Sequence, residues 1–110
     1  MDFVSENLAE LVTVLRGEGR LNMVSAPRLR EAVTAAVAAG RPRIVVDLSG
    51  VEFMDSSGLG ALVGCLKTAR QAGGDLRIAR PSSQVQMVLQ LSNLDRILTS
   101  YATPEEAYRD

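Results

Sequence analysis

The sequence predicts an α/β fold in which helices pack on a parallel or mixed β-sheet. Short β-branched segments alternate along the chain with segments whose apolar residues recur at helical spacing, and this alternation is typical of that architecture. The segment at residues 43–48 is nearly continuously apolar, as expected of a strand that is covered on both faces. We expect about four to five strands and about four helices.

The chain is the size of one domain. Its 110 residues can bury one hydrophobic core but not two, so we predict a single domain spanning residues 1–110. Apolar residues make up 46% of the sequence and aromatic residues only 4%. The core must therefore be built from leucine, valine, isoleucine and alanine.

Composition excludes several classes of function. The formal net charge is −1 and no cluster of lysine and arginine stands out, which argues against nucleic-acid binding. Cys65 is the only cysteine and there is no histidine, which excludes an internal disulfide, the usual zinc sites and a histidine-based catalytic triad. We expect no cofactor. Without a signal peptide or a membrane-spanning apolar run, the protein is predicted to be cytoplasmic.

The first part of the chain predicts a strand and a helix. Residues 11–15 are short, β-branched and followed by a glycine-containing turn, which indicates a strand. Residues 20–23 form either a short second strand or an extended link. Ser25 is a suitable N-cap, Pro27 is tolerated in a first helical turn, and Gly40 is suited to end the helix.

The rest of the chain continues the alternation. The predicted elements are a strand at residues 43–48, a bridge at 49–54, a helix from Ser56 to about Ala72, a strand at 75–79, a helix that starts at 81–83, a strand at 97–101 and a closing helical turn at 104–107. The third helix carries Val85, Val88 and Leu89 on its inner face.

The helix that begins at Ser56 has a predicted apolar face and a predicted face of small residues. The apolar face consists of Leu59, Leu62, Val63 and Leu66. Ala61, Gly64 and Thr68 project opposite this face, with Gly60 beside them. Because glycine inside a helix costs about 0.8–1.0 kcal/mol relative to alanine, the two glycines suggest that another protein approaches the backbone closely. The alternative is that the small face packs within the domain or in a homodimer.

The start of the same helix offers more capping groups than it needs. Asp55, Ser56 and Ser57 follow one another, yet one side chain suffices to cap the first free N–H groups. Either Asp55 or Ser56 can cap, which leaves a hydroxyl free. A phosphate on Ser56 would be attracted by the helix N-terminus and repelled by Asp55. It would bring about −1.5 to −2 charges to an almost uncharged face, as suits a binding switch.

The central motif resembles the signature of STAS domains, specifically the anti-sigma factor antagonists. Residues 44–60 read IVVDLSGVEFMDSSGLG, and this is the specific part of the resemblance. Weaker matches are residues 19–22 with the helix through Leu29, and residues 91–94 followed by Ile97. The resemblance implies a mixed β-sheet with helices packed on it.

The resemblance also implies a function. In this family the serine that matches Ser56 is phosphorylated by a serine kinase that is itself the anti-sigma factor. The unphosphorylated antagonist binds that kinase and frees the sigma factor. Phosphorylation ends the binding, and a PP2C-type phosphatase then removes the phosphate and resets the antagonist. The antagonist catalyses nothing. Ser57 is a second, less favoured acceptor. The expected partner-binding residues are Asn22, Asp55, Ser56, Ser57, Gly58, Gly60, Ala61 and Gly64.

One position departs from the family pattern. The family often has aspartate where this chain has Asn22, in a turn near the phosphorylated helix start. Asparagine keeps the shape and the hydrogen-bonding capacity of aspartate but removes its charge. The resemblance therefore leaves open which kinase is the partner and how efficiently Ser56 is phosphorylated.

Two other functions compete with the switch. A STAS module can act as a scaffold that binds its partner with or without phosphorylation. A small nucleotide-binding or catalytic domain would use the Ser56-Ser57-Gly58 turn to hold phosphate, but the chain lacks a glycine-rich loop with lysine there, and Lys67 lies too far along the helix. The sequence also leaves a weak homodimer open.

Overall fold

The computed structural model describes residues 2–9 and 11–109, which form seven strands and three α-helices. In chain order the elements are β1 (Val4–Ala9), β2 (Val12–Arg16), β3 (Gly19–Leu21), α1 (Ala26–Ala38), β4 (Arg43–Asp47), β5 (Val51–Met54), α2 (Ser56–Gln71), β6 (Asp75–Ala79), α3 (Ser83–Leu91) and β7 (Ser100–Tyr101). Short 3-10 turns lie at Leu94–Arg96 and Pro104–Glu106. Within the described ranges no helix is both long and apolar enough to cross a membrane.

Five strands form one mixed sheet in the order β1-β2-β4-β6-β7. β1 runs antiparallel to β2, whereas β2, β4, β6 and β7 run parallel to one another. β3 and β5 form a separate parallel pair. Because β3 follows β2 and β5 follows β4, this small sheet lies beyond the carboxyl ends of the central strands and leads directly into α2.

The predicted α/β fold with a mixed sheet is confirmed, but the sequence pattern does not predict β1 or β5. β1 is an edge strand whose Val4 is 62% exposed, so it shows no buried alternation. β5 has only four residues, of which Val51 and Met54 are buried. The predicted bridge at 49–54 is therefore wrong from Val51 onward, where the chain forms β5 and pairs with β3.

The C-terminal part is less regular than predicted. Of the predicted strand at 97–101, only Ser100 and Tyr101 pair with the sheet, because the Ile97 N–H donates to the carbonyl of Leu94 at 3.2 Å and closes a turn. The predicted closing helical turn at 104–107 is confirmed as a 3-10 turn at Pro104–Glu106. The described residues thus contain three α-helices rather than four.

The main core lies between one face of the five-stranded sheet and the three helices. Its buried members include Leu15, Ile44, Val46, Leu76 and Ile78 from the strands, with Leu29, Leu62, Leu66, Val85 and Leu89 from the helices. As predicted, aliphatic side chains fill this core. This core packing fixes α2 and α3 relative to the ends of the strands and so determines the shape of the surface around Ser56.

The C-terminal segment covers the opposite face of the sheet. Ala107 is fully buried with Val14 and Val45. The Tyr108 hydroxyl donates to the carbonyl of Ile44 at 2.9 Å, and the Arg77 guanidinium lies 4.3 Å from the centre of the Tyr108 ring. The last turn therefore completes the fold on the side away from the helices.

A buried carboxylate ties together the carboxyl ends of the strands. Asp47 is 1% exposed and accepts hydrogen bonds from Arg16 Nε at 2.9 Å, from the Arg80 guanidinium and from the Ser49 N–H at 3.1 Å. Burial alone raises the pKa of Asp47, but the hydrogen bonds from Arg80, Ser49 and Arg16 outweigh it and hold the pKa below its usual value. Asp47 thus stays ionised at neutral pH.

The N-terminal turn of α2 packs directly against β3. A Cβ atom added to Gly58 would lie 2.3 Å from the carbonyl oxygen of Leu21, so only glycine allows this approach. Two residues further, on roughly the opposite side of the helix, Gly60 has open space around it, with nothing within 4 Å of an added Cβ. The two glycines of one helix therefore serve different purposes.

We predict that Asp47→Asn lowers the free energy of unfolding at pH 7 by about 1–3 kcal/mol, because an amide satisfies two guanidinium groups poorly. Since the folded-state pKa is lowered, the carboxylate stabilises the fold above the unfolded pKa of about 3.9, and this contribution is lost as the pH falls through the folded pKa. Urea unfolding from pH 7 down to below pH 4 should show a smaller acid loss in Asp47→Asn than in the wild type. The exposed Asp95→Asn is the control, and equal acid losses in all three proteins would contradict the prediction.

We further predict opposite effects for alanine at the two glycines of α2. Gly58→Ala should lower the free energy of unfolding by about 1–3 kcal/mol, because the first turn must move off Leu21. Gly60→Ala should raise it by up to about 1 kcal/mol, because alanine favours the helix and meets nothing. Urea unfolding measures both changes. Equal effects of the two substitutions would show that the contact between α2 and β3 is not as tight as described.

Candidate functional site

Asp55 caps α2. Its backbone is extended, with φ −106°, and its Oδ1 accepts the N–H of Gly58 at 3.0 Å. Its carbonyl accepts the N–H of Leu59 at 3.0 Å. Of the two capping residues that the sequence leaves open, the structure selects Asp55, and the helix therefore starts without help from the Ser56 side chain.

Ser56 occupies the first position of α2 and is exposed. No hydrogen bond joins its hydroxyl to another residue within 2–9 or 11–109. Ser57 beside it is half-buried. The free hydroxyl that the sequence predicts is thus on Ser56, at the helix end where unpaired N–H groups create a positive potential.

The end of β3 brings Asn22 to the same region. The Asp55 N–H donates to the carbonyl of Leu21 at 3.3 Å, and Leu21 pairs with Met54 in the small sheet. The turn that follows Leu21 therefore starts beside the first residues of α2. The predicted proximity of Asn22 to the Asp55-Ser56 motif agrees with this arrangement.

The Asn22 side chain shapes its own turn. Its Oδ1 accepts the N–H groups of Val24 at 3.0 Å and of Ser25 at 3.2 Å. An aspartate oxygen could accept the same two bonds, so the change from the common family residue alters the charge of the turn rather than its main-chain contacts. Asn22 thus presents a neutral amide where a carboxylate would be negative.

The predicted capping role of Ser25 is wrong in detail. Ser25 stands at the N-cap position of α1, but its side chain makes no capping bond. Its hydroxyl is turned back, donating to the carbonyl of Arg20 at 2.7 Å and accepting the N–H of Asn22 at 2.9 Å. The buried hydroxyl therefore fastens the turn to β3.

Exposed apolar residues follow Asn22. Met23 is 73% exposed and Val24 is 79% exposed. In β5, Phe53 is partly exposed, with the Arg20 guanidinium 5.7 Å from its ring centre. The sequence pattern does not single out Met23 and Val24, although an apolar pair just before a helix cap is a signal that could have marked them as exposed candidates for partner contact.

The outer face of α2 differs from the prediction. Gly60 and Gly64 are exposed, and a Cβ added to either would meet nothing within 4 Å, as the predicted small outer face requires. The placement of Ala61 on that face is wrong, because Ala61 is fully buried. Gly58, also expected to bind a partner, is buried against Leu21.

The reason for the error is the rotation of α2. Its buried stripe is Gly58, Ala61, Leu62, Cys65, Leu66 and Ala69, whereas Leu59 and Val63 are only half-buried. The small members of the stripe belong to the same core cluster as Leu29 and Val33 of α1. Small side chains on α2 therefore let two helices approach closely, and size alone does not distinguish this role from an outward position.

Cys65 is a core residue. It is 3% exposed, and burial raises the pKa of its thiol to about 11. The thiol is therefore protonated at neutral pH and a poor nucleophile. Cys65 is therefore a buried packing residue.

The α2 part of the surface around Ser56 carries little charge, but cationic side chains border it: Arg20 lies at the Phe53 ring and Arg30 lines a groove with Gly64. Asp55 is half-buried and bonded to the helix start, and the first charged residue within α2 is Lys67. The surface combines a free hydroxyl, the exposed backbone at Gly60 and Gly64, and the apolar side chains of Met23 and Val24. Such a surface can accept the backbone of another protein closely and would respond strongly to an added charge.

Comparison with known proteins identifies the fold family. The family model for the STAS domain matches residues 6–107. The anti-sigma F factor antagonist of Lysinibacillus sphaericus is 30% identical over 108 residues, which cover 97% of this chain and 92% of that protein.

Solved structures agree with this match. SpoIIAA in its unphosphorylated form, an anti-sigma factor antagonist, superposes with a TM-score of 0.80 at 29% identity, covering 96% of this chain and 91% of that chain. The Bacillus cell fate determinant SpoIIAA in the phosphorylated form gives a TM-score of 0.73 at 28% identity, covering 96% and 95%. Fold, motif and family model agree over nearly the whole length, and the chain belongs to the STAS domain family.

Proposed function

We propose that this protein is an anti-sigma factor antagonist that is switched by phosphorylation of Ser56. The unphosphorylated form binds an anti-sigma factor serine kinase in the cytoplasm and thereby frees the sigma factor. Phosphorylation of Ser56 by that kinase ends the binding, and a PP2C-type phosphatase restores it. The observation that carries the proposal is the exposed Ser56 hydroxyl, which the helix cap does not use.

The relatives support this proposal. The Lysinibacillus sphaericus protein is named an antagonist of an anti-sigma factor, and SpoIIAA occurs in unphosphorylated and phosphorylated forms. The names of these proteins give the class of partner, an anti-sigma factor. The free hydroxyl at the helix start gives the site at which a kinase would act on this chain.

The proposed binding surface consists of Asn22, Asp55, Ser56, Ser57, Gly60 and Gly64, extended by Met23 and Val24. A partner helix or loop can approach the backbone of α2 at the two glycines, where no side chain stands in the way. Gly58 and Ala61 support this surface from beneath rather than touching the partner, because both are buried.

A phosphate on Ser56 would act mainly on the interface. It adds about −1.5 to −2 charges next to Asp55 and at the start of a helix that has no charged residue before Lys67. An uncompensated charge in a desolvated contact costs several kcal/mol. The fold would change little, because no bond to the Ser56 hydroxyl is broken and the helix N-terminus favours a negative charge.

The direct test incubates the purified protein with a candidate anti-sigma factor serine kinase and ATP and maps the phosphate by mass spectrometry. We expect phosphate on Ser56 in the wild type and in Ser57→Ala, and none in Ser56→Ala. Calorimetry should show tight kinase binding by Ser56→Ala and binding at least about tenfold weaker by Ser56→Asp, whose single charge imitates part of the phosphate effect.

Ser57→Ala is the matched control, since it removes the neighbouring, half-buried hydroxyl of the same helix turn. Phosphate on Ser57 alone would move the switch by one residue. Absence of phosphate on every form, together with equal partner binding by all of them, would contradict the switch and leave a STAS scaffold that binds without phosphorylation control.

A further inference from the structure

The main chain of Met54 is held by a side chain that lies 30 residues away in the sequence. The Met54 N–H donates to Gln84 Oε1 at 2.8 Å, and Gln84 Nε2 donates to the Met54 carbonyl at 3.1 Å. One amide group thus satisfies both backbone groups of one residue. Met54 is the last residue of β5 and stands two positions before Ser56.

Gln84 completes the small sheet at the side that β3 leaves open. The neighbouring Asp55 N–H points to β3, where it donates to the carbonyl of Leu21 at 3.3 Å. Groups of successive residues in a strand point to opposite sides, so the Met54 groups face away from β3. A pair of short strands is only marginally stable by itself. The two hydrogen bonds between Gln84 and Met54 therefore take the place of a third strand.

The helix that carries Gln84 is well anchored. Ser82 caps α3 by accepting the N–H of Val85 at 3.3 Å, and Val85 and Leu89 are buried in the core. Gln84 itself is half-buried. Because both ends of its amide are bonded to Met54, its role is to hold the main chain rather than to contact a partner.

We propose that Gln84 is a positioning residue for the phosphorylation site. By fixing Met54, it fixes the extended backbone of Asp55, which caps α2 and leaves the Ser56 hydroxyl pointing outward for the kinase. This inference rests on the proposed function for its link to phosphorylation. The holding of the Met54–Ser56 segment itself is a property of the free protein and is testable without a partner.

Gln84→Glu gives a test that depends on pH. As a carboxylate, the new side chain can accept the Met54 N–H but repels the Met54 carbonyl. As a carboxylic acid, it can donate to that carbonyl and accept the N–H, which restores both bonds. A loss at neutral pH that is recovered when the acid is protonated is a signature that general destabilisation would not produce.

The first measurement is amide hydrogen exchange of the free protein by NMR. At pH 7 we expect exchange at Met54 and Asp55 to be at least about tenfold faster in Gln84→Glu than in the wild type, after correction for intrinsic rates, because the opening of this segment becomes easier. The difference should shrink as the pH falls through the titration range of the new carboxyl group. Gln84→Ala, which removes both bonds without adding a charge, should exchange fast at every pH.

The second measurement is phosphorylation by the kinase at pH 7. The kcat/KM for Ser56 should fall by about tenfold in both Gln84 variants, as expected when a reacting group is less well positioned. Gln90→Glu, which puts the same charge on the exposed side of the same helix, should match the wild type in exchange and in phosphorylation. Circular dichroism and thermal unfolding establish that each variant is folded.

The outcomes separate the two claims. Wild-type exchange rates at Met54 and Asp55 in both Gln84 variants would overturn the inference whether or not the kinase acts. Faster exchange with unchanged kcat/KM would also overturn it, since Gln84 would then order β5 without affecting the phosphorylation of Ser56. Failure of the kinase to phosphorylate even the wild type would count against the proposed function, while the exchange rates would still decide whether Gln84 orders the segment.

Discussion

The hydrogen bond from the Gly58 N–H to Asp55 Oδ1 is the interaction on which the candidate site depends. Because the Asp55 carboxylate caps α2, the next side chain, that of Ser56, is not needed as a cap. Gly58 also packs against Leu21, which brings the first turn of the helix onto β3. A residue that is exposed, that lies next to a helix cap and whose hydroxyl is bonded to nothing in the described part of the chain can be modified without a large loss of stability, and a switch requires this property.

Stability and recognition are separated in space. The Asp47 cluster with Arg16 and Arg80 and the segment around Tyr108 lie on the face of the sheet away from the helices. The exposed glycines of α2, by contrast, contribute nothing to packing. Each of these glycines lowers helix stability by about 0.8–1.0 kcal/mol relative to alanine. The buried core beneath α2 offsets this loss, so the helix remains stable with an open outer face.

The sequence predicts those parts whose signals are local. The apolar run at β4, the helix that begins at Ser56 and the surplus of capping groups at residues 55–57 can all be recognised without tertiary information. β1 and β5 cannot, because a four-residue strand and an exposed edge strand lack periodicity. The orientation of Ala61 is also hidden, since a small side chain suits both a helix contact and an open surface. The hydrogen bonds between Gln84 and Met54 join residues 30 positions apart, so no local sequence pattern predicts them.

A phosphate on Ser56 should change the binding surface and leave the fold intact. The decisive experiment prepares the protein with phosphoserine at position 56 and measures kinase affinity by calorimetry and stability by urea unfolding. We expect a rise of about 100-fold in the dissociation constant, which corresponds to about 2.7 kcal/mol, and a free energy of unfolding within about 0.5 kcal/mol of the unmodified protein. Equal affinity of the two forms, or unfolding of the phosphorylated protein, would contradict this expectation.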